Sequence, residues 1–155
     1  MKTLVLGVGN TLLTDEGVGV HVIRHLQTNH PDQKNTTYLD GGTLSFTLAG
    51  DIEDSDQLIV IDATQLHSEP GTVQQFVDEA MDDFLCNKRH MSVHEVGLLD
   101  LLNISRLANR LPKRRALIGI QPKTLDWGDQ PSAEVAAAIP LASRKTIDLI
   151  SEWQL

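Results

Sequence analysis

Short apolar runs alternate with helical patterns of hydrophobic residues along this chain. The runs at 3–7, 58–61 and 116–120 are almost continuously apolar, which is typical of strands buried on both faces of a parallel sheet. Elsewhere, apolar residues recur at helical spacing, most clearly at 17–29 and from Ser132 onward. This alternation predicts an α/β fold, a three-layer sandwich in which a twisted, mainly parallel sheet lies between helices on both faces.

Weaker patterns predict the remaining elements. A short strand at 37–39 is expected to end at Asp40, and Thr43 is expected to cap the next helix. A later long helix is expected to include Leu107 in its core face. Pro140 is expected to kink the last helix or to split it in two.

Length and charge narrow the class of protein. The chain has 155 residues without a repeat or a linker, so we expect a single domain spanning 1–155. Its formal net charge of -8 argues against nucleic acid or an anionic membrane surface as the main partner. The longest weakly apolar stretch, 133–142, is too short to span a bilayer.

The single cysteine, Cys86, cannot form an internal disulfide, which fits a reducing compartment. No catalytic signature surrounds it, so a cysteine in a loop or a half-buried position is favoured over a nucleophile. The first residues lead into a strand without the pattern of a signal peptide. We therefore expect a cytoplasmic protein, and nothing in the chain requires more than a monomer.

Acidic residues follow three of the predicted strands. Glu16, Asp40 and Asp62 each lie at or just beyond a carboxyl end. Because such ends are neighbours at one edge of a parallel sheet, the three side chains are expected to share a crevice. A buried strand that runs directly into a carboxylate requires a bound cation, a helix cap or a salt bridge to offset the cost of burying charge. The sequence leaves these possibilities open.

A histidine offers a further ligand. His94 lies at the start of the long helix, which is expected to open at Ser92 or at His94 itself. Two carboxylates and one imidazole would leave open positions on a metal, as a catalytic site requires. The zinc-protease helix signature is not present, because the residue four positions after His94 is Leu98.

A nucleotide site is the alternative interpretation of the first loop. Gly7 and Gly9 match the first two glycines of a dinucleotide-binding fingerprint, and Asp40 lies where a ribose-binding acid would be expected. Leu12 replaces the third glycine, however, and the acids at 15–16 would repel a pyrophosphate.

Taken together, these motifs resemble the maturation endopeptidases of nickel-iron hydrogenases. The resemblance covers nearly the whole chain, and its most specific segments are 7–10, 15–19, 40–43, the strand ending in Asp62, 94–98 and 119–122. It implies an enzyme that removes a C-terminal extension from the precursor of the hydrogenase large subunit after nickel has been inserted. It also implies a twisted, mainly parallel sheet between helices.

The resemblance places the metal ligands of the family on Glu16, Asp62 and His94, and the family's Asp-Gly-Gly acid on Asp40. The nickel is expected to arrive with the substrate rather than to be held permanently. In that case Asp40, Glu16 or Asp62 is the candidate general base, and the metal either polarises the scissile carbonyl or activates water. A non-catalytic chaperone that checks for nickel with the same residues remains an alternative, as does a nucleotide-binding regulator.

Overall fold

A computed structural model describes residues 1–87 and 93–155, apart from the side chains of 93–96. Five strands form one sheet in the order β2-β1-β3-β5-β4, and only β4 is antiparallel to its neighbour. The strands are β1 (Thr3–Val8), β2 (Thr36–Gly42), β3 (Gln57–Ala63), β4 (Val73–Val77) and β5 (Arg114–Ile120). The helices are α1 (Val18–Asn29), α2 (Leu48–Glu53), α3 (Glu79–Cys86), α4 (Val93–Leu107) and α5 (Ala133–Trp153), and a 3-10 turn at Thr14–Gly17 precedes α1.

The predicted three-layer α/β sandwich is confirmed. Side chains from one face of the sheet pack with α1 and α5, in a cluster that includes Val5, Ile61 and Trp153. Side chains from the other face, among them Leu6 and Val60, pack with α2, α3 and α4. Successive residues of β1 and β3 thus enter opposite cores, which explains why these strands are apolar throughout.

The order of the strands creates a crevice beside β1. From β1 the chain passes through α1 to β2 on one side, and then through α2 to β3 on the other side. The connection that leaves β1 thus runs toward β2 at one edge of the sheet, whereas the connection that leaves β3 runs toward β4 at the other edge, so the two separate at the carboxyl ends of β1 and β3. In open α/β sheets, such a separation point is where ligands bind.

Several predicted boundaries are wrong in ways that affect this edge. Strand β2 continues through Asp40 to Gly42, with an irregular register against β1 after Gly7. The next helix begins at Leu48 instead of directly after Thr43. The residues at 43–47 form a loop at the carboxyl edge of the sheet. The apolar pattern ends β2 too early because pairing with β1, which the pattern does not reveal, extends the strand.

Two predictions for the long helices are also corrected. Pro140 lies inside one uninterrupted helix and does not split it. Leu107 is exposed, whereas Leu98, Leu101 and Leu102 form the buried face of α4.

Among the described residues, no helix combines the length and the apolar character that crossing a bilayer would require.

Gly19 sets how closely α1 approaches the sheet. A Cβ at this position would overlap the carbonyl oxygens of Ile61 and Val8. We expect Gly19→Ala to lower the free energy of unfolding by about 2–3 kcal/mol, because backbone on both strands would have to shift. Gly50→Ala is the matched control, since a Cβ added there would meet no heavy atom within 4 Å. Urea unfolding should show the control to be as stable as wild type or more so, and equal stability of both variants would contradict the packing argument.

Candidate metal and catalytic site

Two of the predicted acids lie on neighbouring segments at the crevice. Glu16 lies in the 3-10 turn after β1, and this turn packs against β3. Asp62 is the sixth residue of β3 and is only 2% exposed. The prediction placed Asp62 at the end of its strand, whereas β3 continues to Ala63 and encloses it. A buried carboxylate and a half-buried one therefore lie on neighbouring segments at the ligand-binding edge of the sheet.

Gly9 fixes the path of the chain toward Glu16. Its φ angle is +138°, and a Cβ there would overlap the carbonyl oxygen of Glu16. Its amide donates to the carbonyl oxygen of Gly42 at 2.8 Å, which joins this loop to the end of β2. Only glycine combines this backbone conformation with such a close approach. Gly9 is thus required for the fold of the loop that leads to Glu16.

Asp15, the acid next to Glu16 in the sequence, has a structural role. It is 0% exposed, and its carboxylate accepts hydrogen bonds from the amides of Lys123, Thr124 and Ser132 at 2.8, 3.0 and 2.6 Å. The hydroxyl of Ser132 also donates to it at 2.8 Å. Burial alone would raise the pKa of Asp15, but these donors stabilise the charged form and lower the pKa below its usual value. Ser132 thus binds Asp15 instead of capping α5 with its side chain.

Thr14 adds further contacts between the same two loops. Its amide donates to the carbonyl oxygen of Gly128 at 2.8 Å, and its hydroxyl donates to the carbonyl oxygens of Thr124 and Asp126 at 2.8 and 3.1 Å. The amide of Gly128 in turn donates to the carbonyl oxygen of Leu12 at 2.9 Å. The loop after β5 therefore holds the turn that carries Glu16, a role that no local pattern along the chain indicates.

Asp40 lies on the opposite side of β1 from Asp62. It is exposed, it pairs in register with Gly7, and its carboxylate accepts a hydrogen bond from the amide of Gly42 at 2.9 Å. It also borders a cavity of about 310 Å³ at the end of β1 and β2, which is lined by Gly9, Asn10, Thr11, Val20, Asp40, Gly42 and Thr43. Asp40 is thus a solvent-accessible carboxylate at the same edge as Glu16 and Asp62.

The third proposed ligand, His94, lies in the first turn of α4, but its side chain falls outside the described residues. Within the part of the chain that is described, no group of three His, Cys, Asp or Glu side chains is arranged to hold a metal ion. The two carboxylates at the crevice are hard oxygen ligands of the kind that divalent cations accept. The three-ligand set itself stays a prediction.

Gln121 is a second residue whose role the sequence did not reveal. Its side-chain oxygen accepts a hydrogen bond from the amide of Leu66 at 2.7 Å. Its backbone amide and carbonyl group pair with Thr72 and Gly71, both at 2.9 Å. These bonds hold the segment that leaves β3 just after Asp62. The buried residue that follows β5 thereby supports the segment between β3 and β4.

Comparison with known proteins defines the class to which this fold and site belong. A sequence model of the family described as hydrogenase maturation protease matches residues 20–149. The chain therefore belongs to the hydrogenase maturation protease family, a family of hydrolases that act in hydrogenase maturation.

Individual relatives agree with this assignment. The chain is 36% identical over 153 residues to the hydrogenase expression/formation protein HupD of Rhizobium leguminosarum bv. viciae, covering 98% of this chain and 75% of that protein. The structure of the hydrogenase maturating endopeptidase HybD from E. coli superposes with a TM-score of 0.91 at 35% identity, covering 98% of this chain and 93% of that one. The NiFe hydrogenase maturation protease HybD from Thermococcus kodakarensis gives a TM-score of 0.82 at 31% identity, with 97% and 99% covered.

Proposed function

We propose that this protein is the endopeptidase that removes the C-terminal extension of a nickel-iron hydrogenase large-subunit precursor after nickel insertion. The observation that carries the proposal is the placement of Glu16 and the buried Asp62 on neighbouring segments at the crevice, in a chain that belongs to the maturation protease family. A carboxylate kept this deeply buried is costly unless a cation or donors compensate it. Buried carboxylates at a cleft are enriched at sites of chemistry.

In this proposal the nickel is part of the substrate, and Glu16, Asp62 and His94 would hold it. A mixture of oxygen and nitrogen ligands suits nickel. A bound divalent metal supplies Lewis acidity to a neighbouring carbonyl group or water. The role of the protein is to orient the precursor so that the peptide bond to be cut lies beside Asp40, Glu16 and Asp62. Positioning of this kind accelerates a reaction because it removes the entropic cost of bringing the groups together.

The exposed Asp40 is the best placed general base. Glu16 and Asp62 would be engaged with the metal, whereas Asp40 faces solvent beside the cavity of about 310 Å³. A base must reach the water whose proton it accepts, and an exposed carboxylate meets that condition. Replacing Asp40 by asparagine would then lower the turnover number and leave precursor binding unchanged.

The proposal is tested by the intact mass of candidate large-subunit precursors after incubation with this protein, with and without nickel. We expect a C-terminal peptide to be lost only from the nickel-loaded precursor. Stable binding of that precursor without a change in mass would instead identify a nickel-checking chaperone. Cleavage that proceeds equally well without nickel would contradict the recognition role given to the metal.

A further inference from the structure

Large apolar side chains project into solvent beside the candidate site. Leu12, in the loop after β1, is 57% exposed, and Leu125 and Trp127, in the loop after β5, are 55% and 81% exposed. We call these three residues the apolar rim. Both loops lie at the carboxyl edge of the parallel strands, the edge that also holds Glu16 and Asp62. Grouped exposed apolar residues of this kind are typical of interaction sites.

The backbone beneath the apolar rim is held in place. The carbonyl oxygen of Leu12 accepts the amide of Gly128, the residue that follows Trp127. The carbonyl oxygen of Asp126, which precedes Trp127, accepts the hydroxyl of Thr14 at 3.1 Å. Because these bonds fix both loops before any partner arrives, less conformational entropy remains to be lost on binding.

The apolar rim is continuous with the candidate site. The same loop that presents Leu12 carries Glu16 four residues later, and Asp15 between them binds the loop that presents Trp127. Because the two loops are joined in this way, a polypeptide bound at Glu16 has Leu12 and Trp127 beside it on one path out of the crevice. The occupant that fits is a segment of the precursor itself.

The charges around Trp127 indicate the chemistry of the precursor segment that would bind there. The exposed carboxylates of Asp126 and Asp129 flank Trp127. Lys123, the cation of this loop, is paired with Glu134 at 2.8 Å and so does not offset them. An apolar surface bordered by acidic groups is complementary to an apolar side chain that is flanked by basic residues, and an indole also attracts cations through its ring face.

We propose that the apolar rim docks the stretch of the precursor beside the bond to be cut, by binding an apolar side chain with a neighbouring lysine or arginine. This inference rests on the proposed endopeptidase function. Large aromatic side chains at the centre of an interface are its commonest energetic anchors. Trp127 is therefore expected to govern how tightly the precursor binds and to leave the chemical step unaffected.

Steady-state cleavage of nickel-loaded precursor separates binding from chemistry. Trp127→Ala should raise KM by about 10-fold or more and change kcat by less than about 2-fold. Leu107→Ala is the matched control, because Leu107 is 89% exposed at the end of α4, which leads toward the start of β5 at the opposite edge. An unchanged KM in Trp127→Ala, with active wild-type enzyme, overturns the inference and leaves the proposed function intact.

Fluorescence provides a readout that does not depend on cleavage. The chain has two tryptophans, and Trp153 is only 7% exposed, so acrylamide quenching reports mainly on Trp127. Nickel-loaded precursor should protect Trp127 from quenching in wild type and in the Asp40→Asn variant, which is expected to bind the precursor without cleaving it. Binding without protection overturns the inference. Cleavage that fails in wild type while protection persists would overturn the proposed function and retain the docking surface.

The predicted basic character of the partner has its own test. Raising the ionic strength from about 0.05 to 0.5 M should raise KM several-fold, because attraction between exposed charges is screened at high salt. A KM that falls with salt would contradict the chemistry assigned to the partner. Concentration-dependent dimers of wild type that disappear in Trp127→Ala would assign the apolar rim to a second copy of this chain and overturn the proposal.

Discussion

Replacing Asp62 by asparagine is expected to slow precursor cleavage by at least about 100-fold, a loss of about 2.7 kcal/mol of transition-state stabilisation. The side chain is 2% exposed within β3, so the substitution keeps its shape and surroundings and removes the charge. A neutral amide is a poor ligand for a divalent cation. Glu16→Gln, which makes the same change in the neighbouring turn, should have an effect of similar size.

The rate of precursor loss, followed by intact mass, measures this effect, and circular dichroism establishes that each variant is folded. Asp51→Asn is the matched control, since it removes one carboxylate charge at an exposed position on α2. Its rate should equal that of wild type. Near-normal cleavage by both Glu16→Gln and Asp62→Asn would show that the site has been assigned to the wrong residues.

His94→Gln extends the same experiment to the ligand that is proposed from sequence alone. A loss as large as that of Asp62→Asn would place His94 with the two carboxylates. A normal rate would reduce the proposed ligand set to Glu16 and Asp62 and would require a third ligand from another residue or from the precursor.

The crevice is well predicted from the sequence because it depends on local signals. The apolar runs of β1, β3 and β5 are buried on both faces, and their order in the chain determines which ends are neighbours. The placement of Glu16 and Asp62 at one edge follows from that pattern. The end of β2 was mispredicted because Gly41 and Gly42 resemble a turn, whereas pairing with β1 extends the strand through them.

Asp15 and Glu16 show where sequence reasoning fails. As neighbouring acids in one loop they look equivalent, and a chemical role was predicted only for Glu16. Their different environments are set by Lys123, Thr124 and Ser132, which lie 108 to 117 positions away along the chain. No local spacing encodes such a contact. The apolar rim cannot be recognised from the sequence for the same reason, since its two loops form one surface only in the folded protein.

Replacing Asp15 by asparagine is expected to lower the free energy of unfolding by about 2–4 kcal/mol at neutral pH. The carboxylate accepts four hydrogen bonds in a buried position. An asparagine has a single acceptor oxygen, and its amide group would face backbone amides that also donate. Charged hydrogen bonds are lost and buried donors remain unsatisfied, both of which destabilise the fold.

The size of this effect should depend on pH with a definite sign. The pKa of Asp15 is lower in the folded protein than its ordinary value of 3.8. The stabilisation is therefore fully present above the unfolded pKa and is lost as the pH falls through the folded one. The difference in stability between wild type and Asp15→Asn, measured by urea unfolding, should shrink from pH 6 toward pH 3. A difference that stays constant over this range would contradict a role for the charge.

Asp82→Asn is the control that distinguishes an effect of Asp15→Asn on stability from an effect on the candidate site. Asp82 is also a partly buried carboxylate whose pKa is lowered: burial raises it, but the hydrogen bonds and charges of Arg115 and Arg106 outweigh burial. It lies in α3, away from the turn that carries Glu16. If Asp15 positions that turn, Asp15→Asn should lose cleavage activity at temperatures where it is fully folded, whereas an Asp82→Asn variant of reduced stability should not. Equal activity in the two folded variants would restrict Asp15 to a stabilising role. The turn would then keep Glu16 in place without the four hydrogen bonds that the Asp15 carboxylate accepts.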